Sequence, residues 1–210
     1  MATDSLYSTE KNRSLERKSG NRGKPPESFL IFCEGTKTEP NYFRAFRVSS
    51  ANVKVVGCGM NTLSLVEEAI RVKRNYMKDG RIHDHVWCVF DRDDFPLENF
   101  NAAFDLAETE GIKIAYSNEA FELWYLLHFE YLDIATDRHE YTKILSRHLN
   151  SEYRKNCTTM YDELLQRQAD AIINAEKLLN SYAPLNPGTN NPSTTVHLLV
   201  QELNKFISKD

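Results

Sequence analysis

Carboxylates set directly after apolar runs are the first residues of this chain whose types and spacing suit chemistry. FLIFC at 29–33 runs into Glu34-Gly35, and VWCVF at 86–90 runs into Asp91-Arg92-Asp93-Asp94. Asp91 and Asp93 are two residues apart, so in an extended segment their side chains project to the same side. Carboxylates brought together at one sheet edge repel each other unless cations neutralise them. Neither thiolates nor clustered histidines accompany them, and hard oxygen donors favour magnesium or manganese. Glu34, Asp91 and Asp93 are therefore the expected metal ligands and catalytic acids, with one ion or two left open. Asp94, just ahead of Pro96, reads equally as a helix N-cap.

Glu122 is a further catalytic candidate. It lies in FELWYLLHF (121–129), where an unpaired buried carboxylate would cost several kcal/mol, roughly, so it requires a metal, a base or a backbone N–H as partner. Glu39 falls in the loop or first helical turn after Glu34, where an acid commonly serves as a plain dipole partner. Lys37 and Arg92 are candidate phosphate contacts or plain surface charges. His128 is six residues from Glu122, which is not a same-face helical spacing, so a core histidine is expected. Tyr116 and Tyr125 carry no sign of activation and are expected to pack. GTKTE lacks the spacing of a phosphate-binding P-loop, and GCG at 57–59 lacks the dinucleotide pattern, so nucleotide hydrolysis is not expected of this chain. Cys33, Cys58, Cys88 and Cys157 are too widely spaced for structural zinc and read as structural thiols.

The elements that must position these residues alternate strand and helix, the mark of an α/β fold with a parallel sheet covered by helices. Strands are expected at 28–33, 53–58, 85–90 and 112–116. Helices are expected at 61–78, 96–109, 119–131, 137–149, 161–182 and 194–207, with a Pro/Asn/Gly linker, APLNPGTNNPS, at 183–193. Within 61–78, Val66, Ala69, Ile70 and Met77 share a face, Ser64 and Glu67 have capping-box spacing, and Gly80 follows the end. Gly111 stands where the 96–109 helix must stop. In such a sheet, ligands bind outside the carboxyl ends of the strands, where Glu34 and Asp91 fall.

The glutamate-then-DxD pattern resembles the Toprim catalytic domain of topoisomerases, primases and OLD-type nucleases. EGTKTEPNYF (34–43), DRDDF (91–95), SNEAFELWYLLHFE (117–130) and NPSTTVHLLVQEL (191–203) together resemble the RloB-like family of bacterial defence proteins, from about residue 28 onward. Glu119-Ala120 departs from that pattern, where a proline and a small residue or cysteine are expected. The resemblance implies a Toprim-like, mostly parallel four-stranded sheet flanked by helices, with a helical C-terminal region. It matches Glu34 to the Toprim glutamate, a ligand or general base, and Asp91 and Asp93 to the DxD ligands, on neighbouring strands. It further implies a metal-dependent nuclease acting on DNA or RNA in antiphage defence, accompanied by an ATPase partner.

The chain has 210 residues, a net charge of −4 and 41% hydrophobic residues, which excludes a histone-like protein that holds nucleic acid by charge alone. A mildly basic tail is expected at 1–27, a catalytic core at 28–131 and a helical region packed on it at 132–210. No apolar run of membrane-spanning length occurs, and MATDSLYSTEKNRS holds no signal-peptide stretch, so a cytoplasmic location without membrane association is expected. A homo-oligomer is left open. The rival readings are a non-catalytic Toprim-like docking module and another magnesium-dependent phosphoryl transfer, since the same acids serve any phosphate chemistry.

Overall fold

ESFLIFC at Glu27–Cys33 forms strand β1, in which every side chain from Phe29 on is buried, in a computed structural model that describes residues 26–92 and 96–207. After helix α1 (Thr38–Arg44), strand β2 (Ala51–Gly57) leaves Asn52 and Lys54 exposed, as an edge strand does. Helix α2 (Thr62–Lys78), strand β3 (His85–Asp91), helix α3 (Leu97–Thr109) and strand β4 (Lys113–Asn118) complete the alternating part. There follow the short helix α4 (Glu122–Leu126), then α5 (Arg138–His148), α6 (Met160–Leu164) and α7 (Gln168–Asn180), a two-residue strand β5 (Ser193–Thr194) and helix α8 (Val196–Asn204).

The strand order is β2-β1-β3-β4-β5, parallel up to β4, with β5 antiparallel to β4. Strands β1 and β3 are buried almost continuously because helices cover both faces. Leu30, Phe32, Cys88 and Phe90 pack with α2 and α3 on one face. Phe29, Ile31, Trp87 and Val89 pack on the other with α1 and the helices from α4 onward. The period-two alternation of the strands divides the core in this way.

The sheet has five strands rather than the four expected. The fifth lies where the 183–193 linker meets the helix expected from 194, and two residues are too few for any periodicity. Side chains reinforce it: Thr194 Oγ1 donates to Tyr116 O at 2.9 Å, and Tyr116 N–H donates to Thr195 Oγ1 at 3.0 Å. The last helix accordingly starts at Val196. The helix expected over 119–131 is only Glu122–Leu126, and beyond it His128 N–H and Phe129 N–H bond three residues back, to Tyr125 O and Leu126 O. The helix expected over 161–182 is split by a 3₁₀ turn at Leu165–Arg167. Helix α1 puts Glu39 in a first turn, one of the two placements its position left open, although no helix bounds are expected there from periodicity.

In α2 the cap is Asn61, whose Oδ1 accepts from Ser64 N–H at 3.1 Å, rather than Ser64 itself, and Met77 is 54% exposed, off the buried face. Gly80 and Gly111 take φ of +71° and +62°, and beyond them Arg81 N–H and Ile112 N–H donate to Tyr76 O and Ala107 O, both at 2.8 Å. Both helices thus end in the left-handed glycine turn expected of them.

Candidate active site

The chain runs from β1 to β2 on one side and places β3 on the other, so strand order reverses between β1 and β3 and a crevice opens at their carboxyl ends. Glu34 N–H continues the ladder, donating to Val89 O at 2.9 Å. Two residues beyond Val89, Asp91 N–H donates to Glu34 Oε2 at 3.1 Å. The two acids are thus brought together by main-chain register. Asp93 and Asp94 lie outside the described residues. Among the described residues, no group of three or more His, Cys, Asp or Glu side chains is disposed to hold a metal ion.

Glu34 and Asp91 share a cleft of about 290 Å³ with Gly35 to Glu39, Phe121, Glu122, Arg138 and Lys155. Glu39, 7% exposed, lies over Gly35, whose N–H donates to Glu39 Oε1 at 3.4 Å; a Cβ on Gly35 would collide with that carboxylate. Burial raises the Glu39 pKa and the Glu122 charge raises it further, against main-chain N–H donors and Lys155, which lower it. Glu122, 3% exposed, has the partner its burial demands: Tyr153 OH donates to Oε1 at 3.0 Å, and Lys155 Nζ stands 3.8 Å away. Thr38 Oγ1 in turn donates to Lys155 O at 2.9 Å, fastening that loop over α1. Arg138 opens α5, its main-chain N–H donating to Glu119 Oε2 at 3.1 Å and its guanidinium to Glu119 O at 3.2 Å.

Of the remaining sequence candidates, Lys37 lines the cleft. Arg92 is not among its lining residues; its Nε donates to Gly188 O at 2.8 Å and its guanidinium lies over the Phe100 ring. His128 is a buried core residue, its Nδ1 2.9 Å from Trp124 O, with a pKa lowered by burial to about 4. Tyr116 and Tyr125 are buried among rings, and burial pushes Tyr116 up to about 12 and Tyr125 well above its ordinary value. Neither is activated as a nucleophile. All four cysteines are free thiols, with Cys33 and Cys88 buried.

Sequence reasoning missed Arg138, Lys155 and Tyr153. The last two sit in SEYRKNC, a loop without periodicity. Arg138 carries a readable mark: a cation in the first turn of a helix opposes the macrodipole, so something other than helix stability holds it there.

No described helix is long and apolar enough to cross a membrane. Comparison with curated proteins finds no match. The sequence motifs and the strand-end acids agree with one family: the model of the RloB-like protein family matches residues 29–203, and the chain belongs to that family.

Proposed function

We propose that this chain is a metal-dependent nuclease with a Toprim-like core, hydrolysing phosphodiester bonds of DNA or RNA in antiphage defence under the control of an ATPase partner. The observation that carries the reading is the pairing of Glu34 and Asp91 at the ends of adjacent parallel strands, in one cleft with Glu39 and Glu122. The donor set fits magnesium or manganese: Glu34 and Asp91 offer oxygens only, no His or Cys lines the cleft, and magnesium is commonly held by one or two carboxylates plus water and substrate phosphate. Asp93 is the third ligand in this proposal. Such an ion supplies Lewis-acid polarisation of a phosphoryl oxygen.

The chain's own groups do the rest. Glu34 is oriented by the Asp91 N–H, leaving its carboxylate as ligand or base. Glu39, whose raised pKa favours the protonated form, can hold a proton beside the reacting phosphate. Lys37, Arg138 and Lys155 offset the acids and draw in an anionic substrate that an all-acid cleft would repel.

The test is incubation of the full chain with plasmid, single-stranded DNA and tRNA, in magnesium, manganese or chelator, alone and with an ATPase encoded beside it. Metal-dependent cleavage that vanishes in Asp91→Ala supports the proposal. Inertness on every substrate, with and without the ATPase, would leave the docking-module reading.

A further inference from the structure

We infer that Arg138 binds the substrate phosphate in this cleft and that Glu119 is the positioning residue that aims it there. The inference rests on reading the cleft as a phosphodiester site and adds to it the group that touches the substrate's non-bridging oxygens.

Three parallel strands end at this edge of the sheet. β1 delivers Glu34 and β3 delivers Asp91, both into the cleft. β4 ends at Asn118, and the next residue, Glu119, is not among the cleft's lining residues. Glu119 instead grips Arg138 at two points: its Oε2 accepts the Arg138 main-chain N–H at 3.1 Å, and its carbonyl oxygen accepts from the guanidinium at 3.2 Å. Arg138 lines the cleft beside Glu34 and Asp91. The end of β4 thus supplies a cation at second hand where its neighbours supply acids directly.

Helix stability does not account for this placement. Asp137 already caps α5, its Oδ1 accepting from His139 N–H at 2.7 Å, and a positive charge at the first helical residue is unfavourable with the dipole. A guanidinium carries five N–H donors in a planar fork, so it can bond a main-chain carbonyl and a pair of phosphate oxygens together, and it stays charged at any working pH. The other cations are less suited. Lys155 sits 3.8 Å from Glu122, and Lys37 is an exposed point charge with no comparable anchor among the described residues.

The experiment measures affinity of the full chain for short fluorescein-labelled DNA and RNA oligonucleotides by anisotropy in chelator, then steady-state cleavage in magnesium, with circular dichroism to verify folding. Arg138→Ala should weaken binding about 10- to 100-fold, the range for a charge-assisted hydrogen-bonded contact, and raise KM in proportion. Arg138→Lys should fall between, keeping the charge and losing the fork. Glu119→Ala should weaken binding by up to about 10-fold by freeing the Arg138 main chain from Oε2 while the guanidinium keeps its bond to the residue-119 carbonyl, and Glu119→Gln should restore most of that affinity because its amide oxygen still accepts the Arg138 N–H. Unchanged affinity in folded Arg138→Ala would overturn the inference; if that variant unfolds, unchanged affinity in Arg138→Lys would do so. Failure of the unaltered chain to bind either oligonucleotide would also overturn it. Arg138-dependent binding without hydrolysis in any metal would remove the nuclease reading and leave this inference standing. Hydrolysis with unchanged KM in Arg138→Ala would do the reverse.

Discussion

Glu34 and Asp91 reach the cleft along adjacent strands, where a main-chain ladder sets their separation: Glu34 N–H bonds Val89 O, and Asp91 N–H bonds Glu34 Oε2. Arg138 and Lys155 reach the same cleft from a distant stretch of chain, and side chains hold them there. Glu119 holds the first, while the Thr38 hydroxyl and the Asn41 amide tie down the loop bearing the second. The acidic side of the cleft is thus built into the sheet: its bonds use no side-chain atom of Asp91 and one carboxylate oxygen of Glu34. The cationic side depends on individual contacts. Substitutions among the acids should spoil chemistry and spare the fold, whereas substitutions among the groups that hold the cations should shift stability and charge state by smaller amounts.

The largest effect is expected at the acids. Asp91→Ala should lower nuclease activity by about 10³-fold or more, the loss of several kcal/mol of charge stabilisation that a ligand of a catalytic ion supports. Its thermal midpoint should hold or rise, because one of several mutually repelling carboxylates is gone while the Asp91 N–H to Glu34 bond remains. Glu34→Gln, which keeps an acceptor for that N–H, should behave alike. A large drop in melting temperature in either variant would break the contrast by making the acids structural.

The same contrast sets how much was legible in the sequence. Strands β1 and β3 are continuous apolar runs closed by an acid, so their existence, burial and chemical ends could be read directly, and the parallel α/β arrangement followed. Their adjacency came from the family resemblance, since no periodicity encodes strand order. Two-residue β5 could not be read because it is too short for a period and pairs with a strand almost 80 residues away, an antiparallel pairing reinforced by the hydroxyls of Thr194 and Thr195 at sequence separations of 78 and 79. Glu122 was marked by its apolar neighbours, but its partners Tyr153 and Lys155 lie in an aperiodic loop brought over α1 by tertiary contacts. Acids at strand ends are local facts of sequence; the cations that answer them are facts of packing.

The next effect in size tests whether Glu122 belongs with the acids or with the holding groups. Glu122→Ala takes from the buried Tyr153 OH the carboxylate to which it donates and should destabilise the fold by about 1–3 kcal/mol, read by thermal or urea denaturation. Glu122→Gln retains an oxygen for that hydroxyl and should recover most of the loss. If Glu122→Gln remains folded and loses activity as Asp91→Ala does, Glu122 joins the catalytic acids. If it remains active, its role is to hold Tyr153 and Lys155.

Glu39 sharpens the comparison through pH. Its pKa is raised in the fold, chiefly by burial and then by the Glu122 charge, so the folded chain keeps a proton that the unfolded chain has released. Stability from this group is therefore complete below the unfolded carboxylate pKa and is lost as pH rises through the folded one. Glu39→Gln removes the ionisation. It should be more stable than the unaltered chain at neutral pH, by about 1.4 kcal/mol for each unit of pKa difference, with the gap closing on acidification below the ordinary carboxylate range. A gap independent of pH would show that the carboxylate titrates alike in the folded and the unfolded chain.

The smallest effect is expected for Lys155→Met. The lysine side chain is 62% exposed and 3.8 Å from Glu122, so its direct worth to the fold is that of a screened surface pair, about 0.5 kcal/mol. It also lowers the Glu39 pKa, a minor influence beside burial, the main-chain N–H donors and the Glu122 charge. Removing it should leave the melting temperature at low pH nearly unchanged while moving the pH-dependent loss of stability described for Glu39 to higher pH. The double variant Lys155→Met, Glu39→Gln should show no such displacement, because the group that titrates is absent. If Lys155→Met shifted the pH profile equally with and without Glu39, the lysine would be acting through Glu34, Asp91 or Glu122 instead, and the cations would answer the strand-end acids directly rather than the buried acid on α1.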